Sequence, residues 1–600
     1  MLVLGLSALY HESACAIFRD GVLAAAAAEE RFSRIKHDAA LPVEAYRFCL
    51  AAAGAAPCDL DAVAWYEDPV AKLSRQLATG RVAAAAADPL AVERAVAGRL
   101  GWEGPLLCFP HHLSHAASAY YCSGFADAAL LTADGVGEWT TTAVGRAEGD
   151  DLELFAEVAF PHSLGLLYST VTAYLGFRVD ADEYKVMGLA PYGTPRFAAA
   201  LARAVTPGPG LDFTVDLACF DYVRGRTMWT PAFEGLLGVP PRRPGEALEA
   251  VHADLAASVQ SLLEDLLLDK ARWLAGEVDS ENLCLAGGVA LNCVANGRLR
   301  RDGPFRRLFV QPAAGDAGGA VGAAALAHRR LTGHRPVTGA PGSPLASVRL
   351  GPRADGDEVA ALLAAAGLGA GVEDHRGQPS ALADAVAARL AAGQVVGWFQ
   401  GAMEFGPRAL GGRSILADPR HPAMRERLNA CVKHRESFRP VAPAVLAAAA
   451  ADHFALVGGA AGETAPFMLE TCRVVSPLAL PAVTHVDGSA RPHVVDPATD
   501  PRFAALLAAF ARRTGCPVLL ETSFNVAGEP LVRTPADALF TAAAAGLDAV
   551  AVEDFVVDAA ALPAGLAEQA SARRADRRRP WPGGQDSFAG PLHDNLYAFA

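Results

Sequence analysis

The sequence lacks any Cys-x-x-Cys pair, although it contains 11 cysteines. Paired cysteines at that spacing are typical of structural zinc sites and redox motifs, and disulfide-rich secreted domains normally use an even cysteine count. The odd, scattered cysteines argue against both kinds of site and indicate a reducing compartment. We therefore expect a cytoplasmic protein.

An excess of positive charge is also missing, since 52 Lys and Arg residues stand against 66 Asp and Glu residues, for a formal net charge of -14. Proteins that bind nucleic acids or anionic membranes over a broad surface are usually basic. Long apolar runs are missing too, because the alanine runs at 24–28 and 83–87 are too short to cross a bilayer. We expect no nucleic-acid partner and no membrane partner, and we expect any phosphate binding to be local.

The sequence does contain a strand-and-hairpin pattern that occurs twice. The first copy starts with the apolar LVLGLS at 2–7 and continues through a hairpin at Asp20-Gly21. The second starts with AALLTAD at 128–134, turns at GVGE and continues in the β-branched WTTTAV. Two such copies are typical of actin-like and sugar-kinase ATPases, although short hairpins recur in other α/β folds. The pattern predicts a duplicated α/β ATPase domain over residues 1–340.

A Gly- and Pro-rich stretch, Thr332–Pro344, predicts a linker after this domain. Between residues 345 and 562, helical patterns such as 379–393 alternate with strand patterns such as 395–400, which predicts a second α/β domain. The remaining tail, 563–600, contains a run of arginines. We expect it to be a solvated tail or a cover over the domain junction rather than a nucleic-acid arm.

Two histidines, His111 and His115, are spaced so that both imidazoles lie on one face of a helix and can reach one metal ion. Asp134 and Asp316 are each expected at the end of an apolar strand, before glycine. Two imidazoles and two carboxylates form a donor set suited to iron or a similar divalent ion. A simply packed pair of helix histidines is the alternative, because isolated HxxxH motifs are common. An ion held beside ATP would clamp its phosphates.

Small residues that follow predicted strands can let backbone N–H groups approach a phosphate at a helix N-terminus. Each stretch alone is weak evidence, because tight turns need glycine anyway. Together they predict a nucleotide-binding surface. The stretches are Gly135-Val136-Gly137, Gly287-Gly288 and Gly318-Gly319.

A basic stretch between Gly401 and Pro440 carries a net charge of +4 within an acidic protein. Arginine forks favour phosphate and carboxylate groups. Arg425 and Arg427 are assigned to a solvated helix face, whereas Arg408 and Arg439 are at predicted loop positions that more often carry function. The eight cations are Arg408, Arg413, Arg420, Arg425, Arg427, Lys433, Arg435 and Arg439, and further polar groups at turns or strand ends are Arg491, Ser523 and Asn525.

His11 lies in the predicted turn of the first hairpin, which corresponds to the Asp134 turn of the second copy. We therefore expect both to face one cleft. A neutral histidine beside a hydroxyl can act as a general base. A histidine in a surface turn is the alternative.

Nine ordered motifs between Val3 and about Val557 resemble the bacterial O-carbamoyltransferases, which include nodulation-factor enzymes and antibiotic-tailoring enzymes acting on compounds such as tobramycin. The resemblance implies that the first domain is similar to the tRNA threonylcarbamoyl-transfer ATPase, and that the second is similar to threonylcarbamoyl-adenylate synthases (YrdC-like). The motifs are HHLSHAASAYYCSGF, DGVGEWTTT, SLGLLYSTVTAYLGF, EYKVMGLAPYG, LAGGVALNCVANGRL, GDAGGAVGAA, EFGPRALGGRSILADPR, VKHRESFRPVAP and ETSFNVAGEPLV.

The resemblance also implies the chemistry and its residues. ATP and carbamoyl phosphate give carbamoyl-adenylate, and the carbamoyl group then passes to a hydroxyl of a small metabolite. An iron ion is expected in the first domain, and Mg²⁺ with ATP. The implied metal ligands are His111, His115, Asp134 and Asp316, and the implied base is His11. The implied nucleotide or substrate contacts are Lys36, Glu183, Lys185, Gly287, Gly288 and Asn292 in the first domain, and Arg408, Lys433, Arg439, Arg491, Ser523 and Asn525 in the second.

Other functions fit parts of the pattern. A tRNA-modifying enzyme would need a basic face, which the net charge disfavours, and an ATP-dependent switch would not need the basic second domain. An amine acceptor, giving a urea, is not separated from a hydroxyl by sequence. The acceptor pocket is expected between Trp65 and Gly104 and between Gly208 and Pro244, and a homodimer is the default expectation.

Overall fold

The computed structural model describes residues 1–225, 227–337, 345–433, 435–458 and 464–569. They form two compact units, of which the first contains Met1–Glu29 and His37–Ala346. The second contains Glu30–Lys36 and the described residues from Ser347 onward. The chain thus joins the second unit briefly near its start, which a single boundary near residue 340 does not anticipate. Most of the predicted linker and most of the predicted tail lie outside the described residues.

Within the described part of the first unit, two five-stranded sheets have the same strand order, β3-β2-β1-β4-β5 and β8-β7-β6-β11-β12. In each sheet the first three strands form an antiparallel meander, and the strand that opens the meander is parallel to the fourth strand. The fourth and fifth strands are also parallel. This repeated topology confirms the predicted duplicated ATPase-type fold. The strands are β1 (Leu2–Ser7), β2 (Ala14–Arg19), β3 (Val22–Ala28), β4 (Ala62–Trp65), β5 (Leu106–Cys108), β6 (Asp127–Gly137), β7 (Thr140–Glu148), β8 (Asp151–Ala159), β11 (Asn282–Ala286) and β12 (Arg307–Val310), with β9 (Val205–Pro207) and β10 (Phe213–Val215) in a separate pair.

The helices of this unit include the one that the HxxxH motif predicted and a long helix across residues 250–277. Among the described residues of the whole chain, no helix combines the length and the apolarity needed to cross a bilayer. The helices are α2 (Val43–Ala52), α3 (Pro69–Ala78), α4 (Ala91–Leu100), α5 (His111–Ser123), α6 (Leu164–Tyr174), α7 (Glu183–Leu189), α8 (Ala198–Ala204), α9 (Pro231–Leu237), α10 (Ala250–Glu277), α11 (Cys293–Asp302) and α12 (Asp316–Thr332).

Close packing of α12 fixes the position of its first residue, Asp316. A methyl group on Gly5 of β1 would lie 1.9 Å from the Ala320 carbonyl oxygen of α12, and one on Gly322 would lie 1.8 Å from the Ser114 carbonyl oxygen of α5. Only glycine permits contacts this short. The helix is therefore held close to both the first sheet and α5.

Two local predictions are wrong. The stretch after Asp134 is not a turn, because β6 continues to Gly137 with a register shift after Ala133, and the chain reverses at Glu138, whose φ is +56°. Asp316 does not end a strand, because β12 stops at Val310 and Asp316 opens α12. Both stretches contain small residues, which led to the prediction of sharp turns. Small residues fit a strand bulge and a helix start equally well.

The second unit is built on an eight-stranded mixed sheet with the order β13-β22-β21-β14-β15-β20-β16-β19 in its described part. Its inner strands β14 and β21 are buried throughout, as expected for strands covered on both faces. The α/β prediction for this region is confirmed, and the stretch DAVAVEDFVV at 548–557 forms an antiparallel hairpin. The elements are α1 (Glu30–Ser33), α13 (Gly356–Ala365), β13 (Val372–Asp374), α14 (Pro379–Ala391), β14 (Val396–Phe399), β15 (Arg413–Ala417), α15 (Ala423–Arg427), β16 (Ala442–Leu446), α16 (Ala450–His453), β17 (Cys472–Arg473), β18 (Ser489–Ala490), β19 (His493–Val495), α17 (Pro501–Thr514), β20 (Val518–Ser523), α18 (Pro535–Ala545), β21 (Ala549–Val552) and β22 (Phe555–Asp558).

Candidate active site

The four predicted metal ligands come together in the first unit. One nitrogen or oxygen atom from each of His111, His115, Asp134 and Asp316 lies within 4.8 Å of the others. His115 Nε2 lies 3.0 Å from His111 Nε2 and 2.9 Å from Asp134 Oδ2. Both imidazole nitrogens lie 3.6 Å from Asp316 Oδ1. We call these four residues the His–Asp cluster.

The donor set of the His–Asp cluster fits a divalent cation. Two imidazole nitrogens and two carboxylates converge, with only Asp134 partly exposed, and Asp316 Oδ2 has no hydrogen-bond partner among the described residues. Burial lowers the pKa of His115, but hydrogen bonds to Asp134 and Asp316 outweigh it and raise the pKa to about 9. A proton on His115 thus offsets part of the carboxylate charge. A divalent ion would neutralise that charge fully and accept nitrogen and oxygen ligands together.

Backbone N–H groups hold the Asp134 side chain in this cluster. Gly288 N–H and Gly135 N–H donate to Asp134 Oδ1 at 3.1 and 3.0 Å. Gly287 precedes this contact with φ +93°, a backbone conformation that favours glycine. The Ser163 hydroxyl caps α6 by accepting from Leu166 N–H, and donates to the Gly135 carbonyl oxygen at 2.7 Å. Two of the predicted glycine stretches, those at Gly135 and at Gly287-Gly288, therefore lie beside the cluster.

Gly137→Ala is expected to displace His111, because the added methyl carbon would lie 2.0 Å from His111 Cδ2 and 2.7 Å from its Nε2. We expect the affinity for Fe²⁺ to fall by about 10–100-fold, the range seen when metal ligands are misplaced. Metal content and anaerobic calorimetric titration of the purified protein measure this. Gly98→Ala is the control, because its methyl group would meet nothing within 4 Å. Unchanged Fe²⁺ affinity in Gly137→Ala would show that His111 is not a ligand.

His11 lies beside the His–Asp cluster, with its Nδ1 3.7 Å from Asp316 Oδ2. Its ring stacks on that of His37 with centroids 6.0 Å apart, and His37 Nδ1 lies 3.3 Å from Glu12 Oε1. Burial lowers the pKa of His11, but the Asp316 contact and the charge of Glu12 raise it well above its ordinary value. The structure thus places the predicted base next to the predicted ligands.

Two acidic residues near the cluster were missed by the sequence interpretation. Glu138 Oε1 accepts hydrogen bonds from the backbone N–H groups of His111, at 3.0 Å, and Asp68, at 2.5 Å, so it anchors the starts of α5 and α3. Asp180 has φ +59°. Burial raises the pKa of Asp180 to about 7. The charge of His11 opposes this shift, and the charges of Glu183, Asp134 and Asp316 add to it. Glu138 could have been suspected as an acid inside the apolar motif DGVGEWTTT, whereas Asp180 has no such signal.

Other predicted contacts of the first unit have protein partners. The Glu183 carboxylate accepts from Ser169 Oγ at 2.8 Å, and Lys185 Nζ lies 3.2 Å from Asp182 Oδ2. Asn292 caps α11, and its side-chain amide exchanges two hydrogen bonds with that of Gln260. The structure therefore gives Asn292 a structural role, and its role in nucleotide binding stays a prediction.

In the second unit, a buried lysine is surrounded by the predicted polar residues. Lys433 Nζ donates to Asn525 Oδ1 at 2.7 Å, to the Asn525 carbonyl oxygen at 2.8 Å and to Ser523 Oγ at 3.2 Å. Burial lowers the pKa of Lys433 well below its ordinary value, and the charges of Arg435, Arg439 and Lys36 lower it further. Several cations thus gather around one buried amine.

Strand pairing places the remaining predicted residues at the same end of the sheet. Ser523 ends β20, opposite Ser414 near the start of β15, and the loop before β15 carries Arg408. Arg439 precedes β16, which begins beside the end of β20, and Arg491 precedes β19, which runs parallel to β16 and begins beside Ala444. Arg491 Nε is buried and makes no hydrogen bond to any described residue. We define the basic site as Lys36, Arg408, Lys433, Arg439, Arg491, Ser523 and Asn525. Lys36 was predicted among the contacts of the first domain, and this assignment is wrong, because the residue belongs to the second unit.

Several cations of the basic stretch have other partners. Arg413 is fully buried and donates to the carbonyl oxygens of Gln400, Gly412 and Pro352. Arg420 pairs with Asp418 at 2.6 Å. Arg427, predicted on a solvated helix face, instead pairs with Asp548 at 2.8 Å, and Arg425 donates to the Thr484 carbonyl oxygen. The net charge of the stretch therefore overstates its capacity for anions.

Comparison with known proteins agrees with the two-unit architecture. The chain matches the family "Carbamoyltransferase N-terminus" over residues 2–92 and 90–325, and the family "Carbamoyltransferase C-terminus" over 387–559. It is 43% identical to "Uncharacterized protein sll1178" of Synechocystis, over 94% of this chain and 97% of that protein. It is 38% identical to the nodulation protein NolNO of Sinorhizobium fredii, over 91% and 79%, and 39% identical to the nodulation protein NolO of Bradyrhizobium diazoefficiens, over 77% and 83%. The protein is therefore a transferase enzyme that belongs to the carbamoyltransferase family.

Proposed function

We propose that this enzyme is an ATP-dependent O-carbamoyltransferase that uses carbamoyl phosphate. In this proposal the second unit forms carbamoyl-adenylate, as its resemblance to threonylcarbamoyl-adenylate synthases implies, and the first unit transfers the carbamoyl group to a hydroxyl of a small metabolite. One observation supports it most: among the described residues, the His–Asp cluster of the first unit and the basic site of the second differ in chemistry. The His–Asp cluster with His11 suits a metal and a proton transfer, whereas the basic site suits anions.

The basic site suits the first half-reaction. Lys433 and the arginines would bind the phosphate of carbamoyl phosphate, and Ser523 and Asn525 would orient the carbamoyl end. Hydrolysis of carbamoyl phosphate gives carbamate and phosphate. A carbamate oxygen then attacks the α-phosphorus of ATP, and the bond to the β-phosphate bridging oxygen breaks, so that pyrophosphate leaves. Cations around the transferred group stabilise the charge that develops on the phosphate oxygens.

The first unit suits the second half-reaction. The acceptor hydroxyl attacks the carbonyl carbon of carbamoyl-adenylate, neutral His11 takes the hydroxyl proton and AMP leaves. A cation bound to Asp316 would offset the carboxylate charge that raises the pKa of His11, and so would favour the neutral imidazole. An Fe²⁺ ion held by the His–Asp cluster would supply Lewis-acid stabilisation of phosphate charge. The N–H groups of Gly135 and Gly288 keep Asp134 in place for that ion, and His37 stacks on His11. ATP itself would be accompanied by Mg²⁺.

The acceptor in this proposal is a hydroxylated small molecule, in line with natural-product tailoring. Sugars, polyketides, β-lactam precursors and nucleosides are the candidate classes, and an amine acceptor would use the same adenylate. We infer no nucleic-acid partner, because the net charge of -14 opposes binding of a tRNA-sized polyanion. A cytoplasmic location and a homodimer are part of the same proposal.

The test of this function is pyrophosphate release from ATP by the purified full-length protein, with and without carbamoyl phosphate. We expect release that requires carbamoyl phosphate and needs no acceptor, because adenylation precedes transfer. Product analysis should show carbamoyl-adenylate or its breakdown to AMP. Release of inorganic phosphate from ATP without pyrophosphate would exclude the adenylate route and favour an ATP-dependent switch.

His11→Ala is expected to separate the two half-reactions. Pyrophosphate release should stay at the wild-type rate, because His11 belongs to the first unit. Acceptor-dependent AMP formation should fall by about 10²–10⁴-fold, the usual loss when a general base is removed. The acceptor for this assay is found by screening hydroxylated antibiotics and sugars with the wild type. His334→Ala, at a histidine whose side chain is 79% exposed, is the control. Equal loss of both activities in His11→Ala would contradict this division of labour.

A further inference from the structure

The segment Glu30–Lys36 belongs to the second unit, although the chain on both sides of it belongs to the first. Two of its arginines are buried: Arg31 is 5% exposed and Arg34 is 8% exposed. Arg34 has φ +61°, a left-handed conformation that costs about 1–2 kcal/mol in a residue other than glycine. A buried charge in a strained conformation persists only where its surroundings hold it in place.

Arg34 is held by the backbone of the loop that follows β20. Its Nη2 donates to the Pro530 carbonyl oxygen at 3.0 Å, and its Nη1 donates to the next carbonyl oxygen, that of Leu531. The planar guanidinium fork fits two consecutive acceptors, which a lysine ammonium cannot reproduce. Within the same loop Asn525 Nδ2 donates to the Glu529 carbonyl oxygen at 2.6 Å. Arg34 therefore holds one limb of the loop whose other limb carries Asn525.

Arg31 is held by a different loop of the second unit. Its Nη2 donates to the Gly406 carbonyl oxygen at 2.8 Å, two residues before Arg408. The two loops also meet directly, because Leu531 packs with Met403 and Ala409 in a small buried apolar cluster. One short segment thus bonds to the backbone of both loops that carry residues of the basic site.

The same segment brings its own cation to this site. Lys36 is half-buried, and its charge acts on Lys433 together with those of Arg435 and Arg439. Lys433 in turn donates to Asn525 and Ser523. A continuous set of contacts therefore runs from the segment, through the Asn525 loop, to the buried lysine.

We propose that Glu30–Lys36 is an integral brace of the basic site, in which Arg31 and Arg34 are positioning residues that fix the Arg408 and Asn525 loops. The two arginines touch carbonyl oxygens of the protein rather than substrate. These contacts alone support the bracing, whatever reaction the site carries out. Its effect on carbamoyl phosphate rests on the proposed function.

The test uses the full-length protein with Arg34→Ala, Arg34→Lys and Arg31→Lys, and with Arg376→Ala as the control. Arg376 is an exposed arginine of the same unit, paired with Asp374. Hydrogen–deuterium exchange reports the order of the two loops, in peptides covering residues 401–413 and 524–532. Pyrophosphate release at varied carbamoyl phosphate reports the site.

We expect faster exchange in both peptides for Arg34→Ala and in the 401–413 peptide for Arg31→Lys, with wild-type exchange in Arg376→Ala. The KM for carbamoyl phosphate should rise at least tenfold in Arg34→Ala, in line with the loss of charged hydrogen bonds to two carbonyls. The KM of Arg34→Lys for carbamoyl phosphate should lie between that of Arg34→Ala and that of the wild type. The Fe²⁺ content of the first unit should not change, which excludes general unfolding.

Wild-type exchange in both peptides of Arg34→Ala and Arg31→Lys would overturn the brace. If Arg34→Ala is recovered unfolded, hydrogen–deuterium exchange of Arg31→Lys and Arg34→Lys tests the brace instead. If the wild type releases no pyrophosphate, the proposed function fails, and the exchange measurement still decides the brace. Wild-type KM in variants whose loops have loosened would show that the brace does not act on carbamoyl phosphate, and would also overturn the proposal.

Discussion

Asp316→Asn is expected to weaken Fe²⁺ binding by the first unit strongly and, with it, carbamoyl transfer. Asp316 is 2% exposed and directs one carboxylate oxygen toward both histidines of the cluster. The amide keeps the shape of the side chain but removes the negative charge that a cation requires. We expect the Kd for Fe²⁺ to rise by at least about 100-fold, above the effect of losing an outer-sphere contact. Transfer should fall on the order of 10²–10³-fold, because Lewis-acid stabilisation is worth several kcal/mol.

Two measurements separate this result from simple unfolding. Added Fe²⁺ should raise the Tm of the wild type, because an ion that binds only the folded state stabilises it, whereas the Tm of Asp316→Asn should not respond. Pyrophosphate release should be unaffected, since it is assigned to the second unit. Asp254→Asn is the control: its carboxylate accepts from Thr194 N–H and is not part of the cluster. A Tm of Asp316→Asn that rises with Fe²⁺ as in the wild type would remove Asp316 from the ligand set.

Arg439→Ala is expected to abolish carbamoyl-phosphate-dependent pyrophosphate release. The Arg439 side chain is 19% exposed, its Nη1 lies 3.7 Å from Glu436 Oε2, and its charge lowers the pKa of Lys433. Losing one charged hydrogen bond to a bound anion in a partly buried site costs about 1.5–3 kcal/mol in binding. Loss of charge stabilisation in the transition state lowers the reaction rate by a further factor on the order of 10²–10³. The combined loss brings the rate to background, and the Fe²⁺ content should stay at the wild-type level.

Arg427→Ala is a matched control from the same basic stretch. Its guanidinium is bound to Asp548, at 2.8 and 3.0 Å, so it is not available to a substrate. We expect a small loss of stability and an unchanged KM for carbamoyl phosphate. If Arg439→Ala releases pyrophosphate as fast as Arg427→Ala, the basic site is not where the adenylate forms, and the ATP-dependent switch becomes the better hypothesis.

The sequence predicted the parts of the molecule that local pattern determines. The hairpin at Asp20-Gly21 and the helix beginning at His111 follow from turn residues and hydrophobic spacing, and both are present. The duplication was visible because each copy repeats the same meander. The histidines were found because residues at i and i+4 of a helix lie on one face, however the rest of the chain packs.

What the sequence did not reveal depends on contacts between distant parts of the chain. The start of α12 at Asp316 is set by how closely that helix packs on β1 and α5, through glycines. The partners of Arg413 and Arg427 decide which cations remain for a ligand, and those partners are carbonyls and a carboxylate from other strands and loops. Charge counting along one stretch cannot distinguish a paired arginine from an available one.

The bond between Arg34 and Leu531 joins residues 497 positions apart in the chain. At about 5–20 residues per second, a ribosome completes Leu531 roughly 25–100 s after Arg34. During that interval Arg34 has no carbonyls to bond, while the first unit can already form around both sides of its segment. The second unit is therefore completed by a strip of chain that is synthesised well before the rest of that unit. A C-terminal fragment expressed from residue 347 onward would lack that strip, however well its own sheet folds.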